Sequence, residues 1–408
     1  MFADHTIAII GGGHAGVEAA AALRRFGYSG KLFLLDSQDE EPYARPPLSK
    51  ELLLAKQTRE EIKLRKASFY SEHSIGLLLK HQVQSLDIQA KRIVVGEREP
   101  LRFDRVLLAT GAVSRRIDVR GNNLPGIFEV RTVKDALALR EAFIPSRNVV
   151  VVGAGYIGLE VAAAARSLGL NVTVIERDAR IMSRVASPTI SQFLQSLHEE
   201  NGVQFVLQQS VAAFEGDNSV TSVVTSSGLS FPADVVVIGI GVVANDDLAA
   251  RAGLICRDGV LVDGLCQTSS PSVFAAGDVT RHENRHFKNP MRLECVQNAA
   301  SQAIIAARSM LHLHVSPYDE VPWFWTSQYG CRVQSAGIRE QDDEPVVRGN
   351  VASGKFSVVY LRRGTVVAID CVGTMKDFTP GKRLITQQQT VQASAVKDPN
   401  TALHDLGT

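Results

Sequence analysis

A single spacing, G-x-G-x-x-G, occurs twice in this chain, at Gly11, Gly13 and Gly16 and again at Gly153, Gly155 and Gly158, and it restricts the possible folds more than any other feature. Each copy stands between a short apolar run and an alanine-rich stretch. The first predicts a strand over 6–10, a tight turn, a helix over 17–26 and a second strand over 31–36 that ends in Asp36. The second predicts a strand over 148–152, a helix over 159–168 and a strand over 171–176 that ends in Glu176. The three glycines have separate tasks. The first permits a sharp turn out of the strand, the second lets backbone N–H groups approach a pyrophosphate, and the third allows the helix to lie close against the strand. The phosphates then sit at the positive end of the helix dipole, and the terminal acid is placed to hold a ribose diol. One such motif alone is weak evidence. Two, each with its strand, helix and acid, predict two dinucleotide sites on one chain.

A chain of 408 residues is long for one core, so two or three domains are expected. A formal net charge of +1 does not point to nucleic acid as a partner. The five cysteines, Cys256, Cys266, Cys295, Cys331 and Cys371, contain no C-x-x-C pair, so neither a zinc site nor a thioredoxin-like dithiol is signalled. Their odd number fits free thiols in a reducing compartment. The N-terminus lacks the basic segment of a secretory leader, and the apolar stretches at 149–159 and 235–244 are too short and glycine-rich to span a bilayer. A cytoplasmic protein is the expectation.

Three further turns follow apolar strands. Residues 272–280 read SVFAAGDVT, a strand ending in Gly277-Asp278, with an alanine-rich helical run at 294–311 beyond it. Asp278 is placed either to cap a helix or to accept a hydrogen bond from a flavin ribityl hydroxyl. The runs at 106–109, before Thr110-Gly111, and at 235–238, before Gly239-Ile240-Gly241, suit chain crossings between two nucleotide domains.

With these motifs, the hexapeptide Arg45-Pro46-Pro47-Leu48-Ser49-Lys50, the segment Arg292-Leu293-Glu294 and the segment from Pro322 through Trp323-Phe324-Trp325 to Gln328, the chain resembles ferredoxin reductases of the putidaredoxin reductase and biphenyl dioxygenase reductase type. These are a branch of the glutathione-reductase-like flavoproteins, and apoptosis-inducing factor shares parts of the pattern. The resemblance implies an α/β fold of two Rossmann-like nucleotide-binding domains plus an α+β C-terminal domain. An FAD domain would comprise 1–113 and 244–317, an NAD domain 114–243, and the C-terminal domain 318–408. The polar tail, 386–408, is expected to be partly disordered.

The implied activity is transfer of hydride from NADH to FAD, then of single electrons to a [2Fe–2S] ferredoxin that feeds a Rieske-type oxygenase or a cytochrome P450. The alternatives are a redox-sensing flavoprotein like apoptosis-inducing factor, or a rubredoxin or nitrite reductase component. The catalytic pair would be Lys50, with its fixed ammonium beside the flavin, and Glu160. Lys50 is otherwise a solvated lysine at the start of a helix over 49–54, and Glu160 a dipole-stabilising acid in a first turn.

For FAD the resemblance adds Ala15 beside Gly11, Gly13, Gly16 and Asp36, then Arg45, Pro47 and Val83. It places Ala109, Thr110, Gly111 and Arg131 at the first crossing, and Gly277, Asp278 and Val296 at the last turn. Trp325 would cover part of the flavin, unless Trp323 and Trp325 are merely a core and an edge aromatic. Thr326-Ser327-Gln328 follows, where the family often has an aspartate before the glutamine. For NAD it adds Tyr156, Ile157, Arg184 and Gly241 to Gly153, Gly155, Gly158, Glu160 and Glu176. A carboxylate at Glu176 repels a 2′-phosphate and so favours NADH, although Arg177 softens the discrimination. No cysteine lies near the first motif or the hexapeptide, so electrons are expected to leave directly from the flavin. Arg281, Arg285, Lys288 and Arg308 form either a docking face for an acidic ferredoxin or a solvated loop. A monomer or weak homodimer is expected.

Overall fold

Two five-stranded parallel sheets are built to the same plan. The computed structural model of the protein describes residues 4–286 and 289–406. In the first sheet the strand order is Val273–Ala275, Arg105–Leu108, Thr6–Ile10, Lys31–Leu35 and Ile75–Leu78. In the second it is Val203–Leu207, Asn171–Glu176, Asn148–Val152, Val235–Ile238 and Ile127–Phe128. Each sheet has its glycine-motif strand at the centre. Ile7, Ala8, Ile9 and Ile10 in the one and Val149 to Val152 in the other are all buried, because a parallel sheet is covered on both faces.

The motif helices span His14–Arg25 and Tyr156–Ser167, starting three residues earlier and ending one residue earlier than the sequence predicts. Gly13 and Gly155 are their N-caps, so the third glycine of each motif falls inside the first turn. That turn's N–H groups have no partner within the helix, and the third glycine lets the helix lie close against the strand and turn. Helix Val296–Met310 lies against the first motif helix through alanines, with Ala19, Ala20 and Ala22 in one cluster with Ala303, Ala306 and Ala307.

The chain passes between the sheets on an antiparallel ladder of Ala112–Ser114 and Val242–Ala244. Both small-residue turns read as crossings adjoin it. Thr110 Oγ1 donates to the Asn245 carbonyl at 2.7 Å, and the Asn245 amide N–H donates to the Gly111 carbonyl at 2.9 Å.

A third sheet is antiparallel, in the order Trp323–Gln328, Cys331–Gly337, Thr365–Val372, Lys355–Arg362, Glu344–Asn350, with helix Phe378–Thr386 on one face. Its two-residue hairpins, Tyr329-Gly330 and Arg363-Gly364, have positive φ at both positions, as tight hairpins between right-twisted strands require.

The tail departs from expectation. As far as residue 406 it is folded against this third sheet, with Val396 and Leu403 buried. Arg348, 3% exposed, pairs with Asp377 at 3.3 Å and donates to the carbonyls of Val396, Asp398, Pro399 and Thr401. A polar composition signals disorder when apolar side chains are the only means of anchoring; this tail is held both by a few apolar side chains and, through its backbone, by the buried Arg348 guanidinium. Among the described residues no helix is long and apolar enough to cross a membrane.

Candidate functional site

Each glycine turn does what its spacing demands. Gly11 has φ +114°, and a Cβ there would lie 2.1 Å from the Ala109 carbonyl oxygen; Gly153 has φ +100°, and its Cβ would lie 2.6 Å from the Gly239 oxygen. At Gly13 and Gly155 a Cβ would meet nothing within 4 Å, so both faces are open to a ligand. A Cβ at Gly16 or Gly158 would fall 1.9 Å or 2.1 Å from the oxygen of the motif's own first glycine. The acids match as well. Asp36 accepts from the N–H groups of Gly12 and Gln38 at 2.7 and 2.8 Å, and Glu176 from those of Ala154 and Asp178 at 2.7 and 3.0 Å.

A cleft of about 540 Å³ runs from the first turn past Asp36 to Thr110, Gly111 and Arg131, and on to Gly277, Asp278 and Val296. It ends at Lys50, Glu160, Phe324 and Trp325. Lys50 closes a 3₁₀ turn, Pro46–Ser49, rather than opening a helix. Its side chain is 14% exposed and its Nζ lies 2.8 Å from Glu160 Oε2, which excludes the solvated-lysine alternative. Glu160 accepts two more hydrogen bonds, from Ser49 Oγ at 2.5 Å and Thr326 Oγ1 at 2.7 Å.

Residues 5–303 match the family model described as pyridine nucleotide-disulphide oxidoreductase, and residues 323–407 match the one described as reductase C-terminal. The chain belongs to the pyridine nucleotide-disulphide oxidoreductase family. The oxidoreductase is 39% identical to the 5,5′-dehydrodivanillate O-demethylase ferredoxin reductase subunit of a Sphingobium species, over 98% of this chain and 97% of that one. It is 35% identical to putidaredoxin reductase of Pseudomonas putida, over 100% of this chain and 97% of the relative. The crystal structure of the covalent putidaredoxin reductase–putidaredoxin complex superposes with a TM-score of 0.95 at 35% identity, over 99% of this chain and 98% of that chain.

Most residues expected to hold FAD come together in this oxidoreductase. Gly11, Gly13, Ala15, Asp36, Arg45, Lys50, Val83, Ala109, Thr110 and Gly111 line the one cleft, as do Arg131, Gly277, Asp278, Val296 and Trp325. Gly16 acts from behind the wall, through helix–strand packing. Pro46 rather than Pro47 is on the wall. Pro47 instead accepts the N–H groups of Lys50 and Leu52 on its carbonyl, which fixes the turn that presents Lys50.

Asp278 caps no helix, since Cys295 is the N-cap of Val296–Met310. Arg131 lies 3.8 Å from it, and Arg45 donates to the Arg131 carbonyl at 2.6 Å. Burial raises the Asp278 carboxyl above its ordinary range, against the opposing charges of Arg131, Arg45 and Arg292.

Of the residues expected to hold NAD, Ile157 and Glu160 reach the same cleft, whereas Gly153, Gly155, Gly158, Glu176, Arg184 and Gly241 surround the second turn outside it. Arg184 Nη2 is 3.3 Å from where a Cβ at Gly241 would stand. Tyr156 opens the helix at the second turn, its ring lies on Phe324 with centroids 4.2 Å apart, and burial pushes its phenol up. The docking cluster is less bare than the sequence suggests. Arg281 pairs with Asp258 at 3.3 Å and Arg285 with Asp319 at 2.8 Å, while Arg308 lies over the Phe26 ring at 5.1 Å. Lys288 lies outside the described residues.

Sequence reasoning missed several neighbours. His14 stands on the cleft wall, and burial together with the Arg45 charge lowers it to about 4, leaving a neutral imidazole. Ser49 and Thr326 complete the shell of Glu160. Alternation along the strand was the available signal for Thr326, because Phe324, Thr326 and Gln328 share one face. Cys295 is the one cysteine on the cleft wall, and burial raises its thiol to about 11. All five cysteines are free, so no disulfide stands at the site.

Proposed function

We propose that this oxidoreductase binds FAD in the first cleft and NADH against the second turn, and reduces an acidic [2Fe–2S] ferredoxin. One observation carries the reading: the first glycine turn and the Lys50–Glu160 pair line one cleft, Glu160 is carried on the helix that starts at the second glycine turn, and no dithiol stands there to take electrons onward. The residues fit FAD, since Gly13 leaves the phosphate cradle open and Asp36 stands at the end of its strand. FAD supplies the one chemistry the chain lacks, exchange between two-electron delivery and single-electron departure.

The chain's own groups do the rest. The N–H groups at Gly13 and Gly155 would take the pyrophosphates. Arg131, Arg45 and Asp278 hold the middle of the cleft. Lys50 provides a fixed positive charge where negative charge accumulates, and Glu160 holds that ammonium in place. Phe324 and Trp325 shut out water at the far end. The relatives named for ferredoxin reduction support the partner. We place the domain boundaries at 1–113 with 244–317, 114–243 and 318–408. The free thiols suit the cytoplasm.

Ferredoxin docking falls near Arg281, Arg285 and Arg308, with Lys288 in the same segment. Raising ionic strength to about 0.5 M is expected to slow ferredoxin reduction several-fold while sparing NADH–ferricyanide turnover. Equal salt sensitivity of the two activities overturns the docking face. Purification without bound flavin, and no uptake of added FAD, overturns the function itself.

Nucleotide choice rests on Glu176. Two like charges about 4 Å apart repel by about 1 kcal/mol in water and several at lower effective dielectric. Glu176→Gln removes the charge and keeps the acceptor for the Ala154 N–H. Its kcat/KM ratio for NADH over NADPH is expected to fall about tenfold. An unchanged ratio, measured with both nucleotides, assigns the preference elsewhere.

A further inference from the structure

Glu160 is the end of a longer buried chain. Thr326 Oγ1, fully buried, lies 2.7 Å from Glu160 Oε1 and 3.1 Å from Gln328 Nε2. Gln328 Oε1 faces His198 Nε2 at 2.6 Å. His198 has no exposed surface, and its Nδ1 is buried without a hydrogen-bond partner. The four residues come from three parts of the fold: helix Pro188–Glu200, strand Trp323–Gln328 and helix Tyr156–Ser167.

The direction of the bonds follows from the atoms. An amide oxygen only accepts, so His198 Nε2 carries the proton and Nδ1 is bare. Thr326 accepts from the Gln328 amide and has one proton left, which goes to the carboxylate. With the Gln328 amide reversed, its oxygen would compete for that proton, and the Thr326 lone pairs would face Glu160 at 2.7 Å. A bare buried Nδ1 loses less than a buried N–H donor would, and burial lowers the affinity of His198 for a second proton. Every donor in the chain therefore points toward Glu160, whose other oxygen takes Lys50 and Ser49.

We propose that Thr326 and Gln328, backed by His198, are positioning residues that fix the rotation of the Glu160 carboxylate and hence the place of the Lys50 ammonium during reduction of the bound cofactor by NADH. Without the Thr326 hydroxyl, Oε1 is a buried carboxylate oxygen with no donor. The carboxylate then turns to find one and takes Lys50 with it. None of the three side chains needs to touch a nucleotide for this. The proposal rests on the functional reading above.

The test combines anaerobic stopped-flow reduction by NADH with imidazole nitrogen NMR of the FAD-loaded and FAD-free protein. Thr326→Val keeps the shape and loses the hydroxyl. It is expected to slow reduction about tenfold, with NADH affinity unchanged. Thr326→Ser restores the rate to within about twofold. Gln328→Met slows the same step about threefold and adds nothing to Thr326→Val in the double variant, because it acts through that hydroxyl. A protected His198 Nε2–H resonance is expected in the wild type and is lost in Gln328→Met, with or without FAD. Thr326→Val as fast as wild type, Thr326→Ser as slow as Thr326→Val, or a wild-type His198 protonated at Nδ1 overturns the proposal. Should Thr326→Val fail to fold, Gln328→Met at the wild-type rate overturns it equally. A wild-type protein that NADH does not reduce overturns the functional reading, and this one with it.

Discussion

Lys50→Met is expected to slow reduction of the bound flavin by NADH about 10²- to 10³-fold, read as the loss of flavin absorbance in an anaerobic stopped-flow mixing experiment. The magnitude follows from how Lys50 is held. Its ammonium is largely out of water and tied to Glu160, itself 3% exposed, at 2.8 Å. It closes a turn that Pro46 and Pro47 stiffen, so little reorganisation is needed when charge develops in the cleft. A methionine of similar length fills the space and supplies none of the field.

The same substitution strands a buried carboxylate, a change that typically costs about 3–5 kcal/mol. Ser49 and Thr326 still donate to Glu160 and keep the loss toward the lower figure. Thermal unfolding should report it. Adding Glu160→Gln to Lys50→Met removes the stranded charge, so stability recovers while the rate stays low. If the double variant regains the rate, Lys50 matters for packing and not for charge. A single variant within about threefold of wild type takes Lys50 out of the chemistry altogether.

The glycine turns were legible because each of their residues answers a local steric demand. Gly11 and Gly153 need positive φ, Gly16 and Gly158 need a missing Cβ, and Asp36 and Glu176 sit one strand away. Each strand–turn–helix–strand unit decides most of these points within about thirty residues, so the sequence carries them. Asp278 was half legible. Its strand and turn could be read, but only the position of Cys295 at the helix start removes the capping alternative.

What escaped depends on partners distant in the chain. Thr326 meets Glu160 across 166 positions, and His198 meets Gln328 across 130. No periodicity joins such pairs. The tail was misread for a related reason, since Arg348 holds its carbonyls from about fifty positions away and the tail's own side chains do not announce it. The arginines at 281 and 285 looked like an uncompensated basic run because the acids that pair with them, Asp258 and Asp319, are contributed from elsewhere. Local charge counting overstates a field whenever the fold imports the counter-charge.

The repeated motif permits a stronger test than either copy alone, because one lesion can be made in both. Gly16→Ala puts a Cβ where the Gly11 oxygen stands 1.9 Å away, and Gly158→Ala puts one 2.1 Å from the Gly153 oxygen. Both contacts are with backbone, so helix and turn must separate in each case, at about 1–3 kcal/mol. The local damage is the same, and only the ligand that loses its cradle differs. Gly16→Ala is expected to purify with less than about a tenth of the wild-type flavin content, since the movement opens the turn proposed to hold FAD. Gly158→Ala should remain yellow and fully loaded, with its KM for NADH raised about tenfold or more and its ferredoxin step unchanged once reduced. Flavin absorbance per polypeptide and a nucleotide titration separate the two. If Gly158→Ala sheds flavin while Gly16→Ala keeps it, the clefts are assigned the wrong way round. If both lose flavin equally, the two turns do not serve separate ligands, and direct hydride transfer between two nucleotides that meet beside Lys50 and Glu160 is overturned.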